Sequence, residues 1–123
     1  GDKVGLCLSF GRELYPKEYF EQYEDAFTVL GKSVSDEELR KFIILAQGCH
    51  DYCIIDALPR IKCPVLAIGA SDDRVIAPGS SEKIISAFGD REDCECYIYD
   101  NYGHAVFDMA PDYKDRLLEF FGK

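Results

Sequence analysis

Residues 65–69, Val-Leu-Ala-Ile-Gly, are apolar at every position. Such a run, bounded by Pro64 and by an acidic loop, predicts a strand buried on both faces, as in a parallel sheet, and not a half-solvated antiparallel one. A parallel partner needs a crossover, and the next residues supply one. Ser80 or Ser81 is placed to cap a helix carrying Ile84, Ile85, Ala87 and Phe88, with Gly89 as its stop, and a second strand follows at Cys94–Tyr99. Strand, helix and parallel strand make a right-handed βαβ unit. After a loop over residues 100–110, Pro111 opens a last helix whose Leu117, Leu118, Phe120 and Phe121 are expected to face inward. The fold class is therefore α/β. Two parallel strands cannot be a whole sheet, because each leaves an edge of unpaired backbone groups. Strands from an upstream segment, or from a second chain such as a homodimer partner, are expected to complete it.

The residues before Pro59 follow a helical period. Residues 3–14 place Val4, Cys7, Leu8 and Leu14 at helical spacing, with Gly5 and Gly11 against the assignment. Pro16 opens a second helix with Tyr19, Phe20, Tyr23, Phe27 and Leu30 in one stripe, and Gly31 is read as its end. Ser35-Asp36-Glu37-Glu38 is a capping box ahead of Leu39, Phe42, Ile43, Leu45 and Ala46, with Gly48 as the stop. A shorter helix is expected over residues 51–58. The chain thus divides into a helical segment, residues 1–58, and a β-α-β-α segment, residues 59–123.

A net charge of −9 disfavours nucleic acid and anionic membrane surfaces, which need clustered Lys and Arg. No run reaches the roughly 18 apolar residues of a membrane span. The chain opens on Gly1-Asp2-Lys3 without a Met or a signal-peptide core, which reads as a proteolytic or cloning boundary. Six cysteines, at 7, 49, 53, 63, 94 and 96, show no disulfide framework, and most are expected to be buried free thiols of a cytoplasmic protein. Cys49-His50-Asp51-Tyr52-Cys53 lacks the fourth ligand and paired knuckle of a zinc site, so no metal or cofactor is assigned.

In open α/β sheets, chemistry gathers at the carboxyl ends of the strands. Two loops lie there: Ser71-Asp72-Asp73-Arg74-Val75 after the first strand, and Asp100-Asn101-Tyr102-Gly103-His104 after the second. Their tips should be neighbours. Acids in a loop are ordinary turn residues by themselves, and His50 has no setting beyond the structural one. His104 beside those acids reads instead as an acid and base pair, the imidazole taking a nucleophile's proton and a carboxylate fixing its tautomer.

The run Ile61-Lys62-Cys63-Pro64-Val65-Leu66-Ala67-Ile68-Gly69, followed by Asp72-Asp73-Arg74-Val75, by Tyr102-Gly103-His104 and by the helix from Pro111, resembles the last two strands of an α/β-hydrolase. The resemblance implies that His104 is the general base and Asp73 its acid, with Asp72 the rival for that role. It implies that residues 1–58 are a cap over the active site, and that the intact protein hydrolyses a small carboxylic ester or related acyl compound through a Ser-Asp-His triad. The family's Gly-x-Ser-x-Gly nucleophile elbow does not occur here, and the serines at 9, 33, 35, 71, 80, 81 and 86 lack its setting. The chain alone is then expected to be inactive. Halide displacement or perhydrolysis would instead turn on which residue occupies the elbow. The alternative of a different class is a binding or assembly module that keeps the fold without catalysis.

Overall fold

The computed structural model describes residues 1–122 and pairs β1 (Val65–Ala70) in parallel with β2 (Cys94–Tyr99). The register runs from Val65 opposite Cys94 to Ala70 opposite Tyr99. Arg91 steers the chain into this pairing. Its guanidinium donates to the carbonyls of Ile61 (2.6 Å) and Cys63 (2.9 Å) and forms an ion pair with Asp93 (2.7 Å), whose own carbonyl receives the Val65 N–H. Helix α4 (Ser80–Ser86) makes the crossover and packs on both strands. Its N-cap is Gly79, at φ +86°, and neither serine caps it: the Ser80 hydroxyl donates instead to the Ile76 and Ala77 carbonyls, both at 2.9 Å. The core gathers at the carboxyl end of the strands, where Ala70, Tyr99, Val106 and Ala110 are buried with Ile68, Tyr97, Tyr102 and Tyr113 against them.

Before the sheet come α1 (Lys3–Leu14), α2 (Lys17–Ser33) and α3 (Asp36–Gly48). The first two pack as an antiparallel pair, and two glycines set their separation. Gly11 sits under Phe20 and Phe27, and a Cβ on Gly31 would come within 2.6 Å of the Val4 Cα. Gly31 is therefore a contact point inside α2 and not its end, which comes at Ser33. The capping box at the start of α3 forms as expected: the Glu38 N–H donates to Ser35 Oγ (3.2 Å) and the Ser35 N–H to Glu38 Oε2 (2.8 Å).

Other expectations are corrected. The helix expected over 51–58 is a 3₁₀ segment spanning Ile55–Arg60, with Pro59 inside it. Residues 100–110 contain a short helix, α5 (Val106–Met109). In the last helix, α6 (Tyr113–Phe121), Leu117 and Phe120 are half-buried, whereas Leu118 and Phe121 are 69% and 78% exposed. β1 is half-buried along most of its length, with Ala70 alone fully buried. None of the cysteines is buried: Cys49, Cys53, Cys63 and Cys96 are exposed, Cys7 and Cys94 half-buried, and all are free thiols. The exposed residues of α6, the half-buried β1 and the exposed thiols have one thing in common, surface that no element of residues 1–122 covers.

Candidate active site

The loops after β1 and β2 are stitched together by backbone and side-chain hydrogen bonds. The Ser71 N–H donates to the Tyr99 carbonyl and the Asp72 N–H to the Tyr102 carbonyl, each at 3.0 Å, while the Asn101 N–H donates to Ser71 Oγ at 2.8 Å. Asn101 takes a positive φ of 63°, a conformation its side chain tolerates better than most. The turn brings His104 back over the end of β1.

There Asp73 Oδ2 lies 2.9 Å from His104 Nδ1. Its other oxygen, Oδ1, accepts the backbone N–H groups of Val75 (2.8 Å) and Ile76 (2.9 Å). Partial burial works to raise the Asp73 pKa, and the Ile76 amide, the His104 ring and the Val75 amide outweigh it, holding the carboxyl below its ordinary value. The two side chains are 14% and 27% exposed, respectively. An ionised carboxylate only accepts, so a neutral His104 bonded to it carries its proton on Nδ1 and presents Nε2 as an acceptor. That is the state in which an imidazole can take a proton from a nucleophile.

Asp72 is placed differently. Its side chain is exposed and its Oδ1 is 3.3 Å from the Ser71 hydroxyl, with no hydrogen bond to His104. His50 is exposed too, 3.7 Å from its neighbour Asp51. Among the described residues, no group of three or more His, Cys, Asp or Glu side chains converges as metal ligands would.

Two cavities flank the pair. An open cleft of about 840 Å³ is lined by Glu13, Pro16 and Lys17 on one side and by Ser71–Arg74 and Gly103 on the other. A smaller one of about 210 Å³ lies between the sheet and α4, with Asp73, Ser81, Ile98 and His104 in its wall. Gly103 has a reason to be glycine: a Cβ there would approach the Leu14 carbonyl to 2.7 Å. The next residue but one, Ala105, donates its N–H to that same carbonyl at 3.1 Å. The sequence reading missed this attachment of the α1–α2 turn to the His104 loop, and it missed the two amides that hold Asp73. An Asp two and three residues ahead of free N–H groups is a recognisable turn pattern; the contact with Leu14 has no local signature.

No family model matches the chain, and no curated protein matches it by sequence. Among solved structures it is similar to MGS-M2, an alpha/beta hydrolase enzyme from a Medee basin deep-sea metagenome library, at a TM-score of 0.73 and 18% identity. The fold is that of an α/β hydrolase. The similarity covers 99% of this chain and 50% of that one, so the chain spans about half the length of the hydrolase it matches. A helical segment followed by two parallel strands, with an Asp after one and a His after the other, is thus one part of an α/β-hydrolase fold. No helix among the described residues is long and apolar enough to cross a membrane.

Proposed function

We propose that these residues supply the general base, His104, and its acid, Asp73, to a hydrolase acting on a small carboxylic ester or related acyl compound. The observation that carries this reading is the 2.9 Å contact between Asp73 Oδ2 and His104 Nδ1, made while two backbone amides fix the other carboxylate oxygen. That arrangement orients the imidazole and compensates the charge that develops when it takes up a proton. Asp73 fills the acid role in this reading; Asp72 does not reach the ring. Residues 1–58 act as the cap, and the cleft between Glu13–Lys17 and the Asp73 loop lies on the side of the site where an acyl substrate would be covered.

The nucleophile comes from residues outside this chain, in keeping with the absence of a Gly-x-Ser-x-Gly sequence. Base catalysis contributes typically about 10²- to 10⁴-fold, and it has nothing to act upon without a hydroxyl or thiol in place. Residues 1–123 alone should therefore leave chromogenic short-chain esters at the buffer rate and form no covalent adduct with an organophosphonate. Stoichiometric labelling of any serine or cysteine, abolished by His104→Ala, would mean that the chain carries its own nucleophile and that the reading is wrong.

A further inference from the structure

Arg74 follows Asp73 directly and turns away from it toward the end of α1. Its Nη2 donates to the carbonyls of Arg12 and of Tyr15, the latter at 3.1 Å, and its Nε lies 3.7 Å from the Glu13 carboxylate. These carbonyls belong to the C-terminal turn of α1, where the last C=O groups have no helical partner and the helix dipole favours a cation. Three further contacts bind the same short turn to the His104 loop. The Leu14 carbonyl receives the Ala105 N–H, Gly103 packs beneath that carbonyl, and the Tyr15 hydroxyl donates to Asp108 Oδ2 at 2.6 Å. Burial first, and then the Asp108 carboxylate, push the Tyr15 pKa up, so this hydroxyl stays a donor through the neutral range. Residues 12–16 thus touch both loops of the Asp73–His104 pair, while Glu13 and Pro16 form a wall of the cleft beside it.

We propose that Arg74 is a positioning residue: its guanidinium straps the α1–α2 turn to the acid loop, so that the placement of the helical pair and the geometry of Asp73 with His104 form one mechanical unit. An ordinary surface ion pair would add little here, since exposed pairs contribute at most about 1 kcal/mol. The fork is what matters. One nitrogen, Nη2, holds both carbonyls while Nε of the same rigid plane stays 3.7 Å from the Glu13 carboxylate, a spread over two nitrogens that the single nitrogen of lysine does not reproduce. The consequence for catalysis rests on the proposed acid and base roles; the strap itself does not.

The amide of Ala105 is the natural reporter, because the residue is 1% exposed and its N–H crosses from the His104 loop to Leu14. Hydrogen exchange is measured residue by residue in the 123-residue chain and in its Arg74→Ala and Arg74→Lys variants. Both variants are expected to speed exchange at Ala105 about tenfold while Ile68 and Ile98, in the paired strands, keep their rates. The ¹⁵N spectrum of the His104 ring, one of two histidines in the chain, is recorded alongside and should change from a single Nδ1-protonated form to a mixture of tautomers. Unchanged exchange at Ala105 in both variants would overturn the strap. So would wild-type behaviour in Arg74→Lys, which would reduce Arg74 to a point charge, or faster exchange spread evenly over β1 and β2, which would make it a general stabiliser. If the parent ring is not Nδ1-protonated, the acid–base reading fails instead, and Ala105 still decides the strap.

Discussion

Asp73 and Asp72 are neighbours in sequence with opposite fates. Both lie in the turn that follows β1, closed by the Asp73 N–H donating to the Ala70 carbonyl (3.4 Å), and that turn sends Asp73 toward His104 and the amides of Val75 and Ile76 while Asp72 faces solvent. The chemical difference is testable by titration. Asp73 has a folded pKa below its unfolded value of about 3.9, so its contribution to stability is complete above that value and is lost as the pH falls through the lower, folded one. Acid unfolding followed by circular dichroism should therefore show less loss of stability below about pH 4 in Asp73→Asn than in the parent, from a lower starting stability at pH 7. Asp72→Asn, which removes no bond to His104 or to the Val75 and Ile76 amides, is the control. Equal behaviour of the two variants would remove the distinction between them.

At the scale of elements, the sequence was readable wherever a pattern is local. The apolar run of β1, the capping box of α3 and the alternation of strand and helix all rest on neighbours within a few residues, and each appears in the structure. Gly31 shows where that stops. A glycine after a helical stripe looks like a terminator, yet here it is the point at which α2 meets the backbone of α1, and nothing near it in sequence announces Val4. The same is true of Leu118 and Phe121, whose spacing on α6 reads as inward-facing while both side chains are mostly exposed. The Asp73–His104 pair was legible because parallel strands put successive loops side by side; Arg74 was legible only as a neighbour of the acid. Gly31→Ala tests the helix contact. The added methyl forces the two helices apart at a cost of about 1–3 kcal/mol, measured as a lower denaturant midpoint, and an unchanged midpoint would show that the approach is not tight.

For the molecule as a whole, the unfilled surface is the dominant fact. On α3, Phe42, Ile43, Ile44 and Leu45 are 41–70% exposed, and β1, with its all-apolar sequence, is half-buried at the side of a two-stranded sheet. Parallel strands are normally covered on both faces, and a long apolar edge invites pairing with another strand. Residues 1–123 alone should accordingly self-associate in sedimentation velocity; a stable monomer would show that two strands suffice. The fold is that of an α/β hydrolase, and we propose that the rest of such a sheet covers this surface. The functional account then reduces to a base, an acid and a nucleophile drawn from two stretches of polypeptide. The decisive measurement is ester turnover by a protein that joins residues 1–123 to the strands completing the sheet, compared with its His104→Ala variant. The account predicts a fall in kcat of about 10²- to 10⁴-fold with the fold retained, and turnover unchanged by that substitution would contradict it.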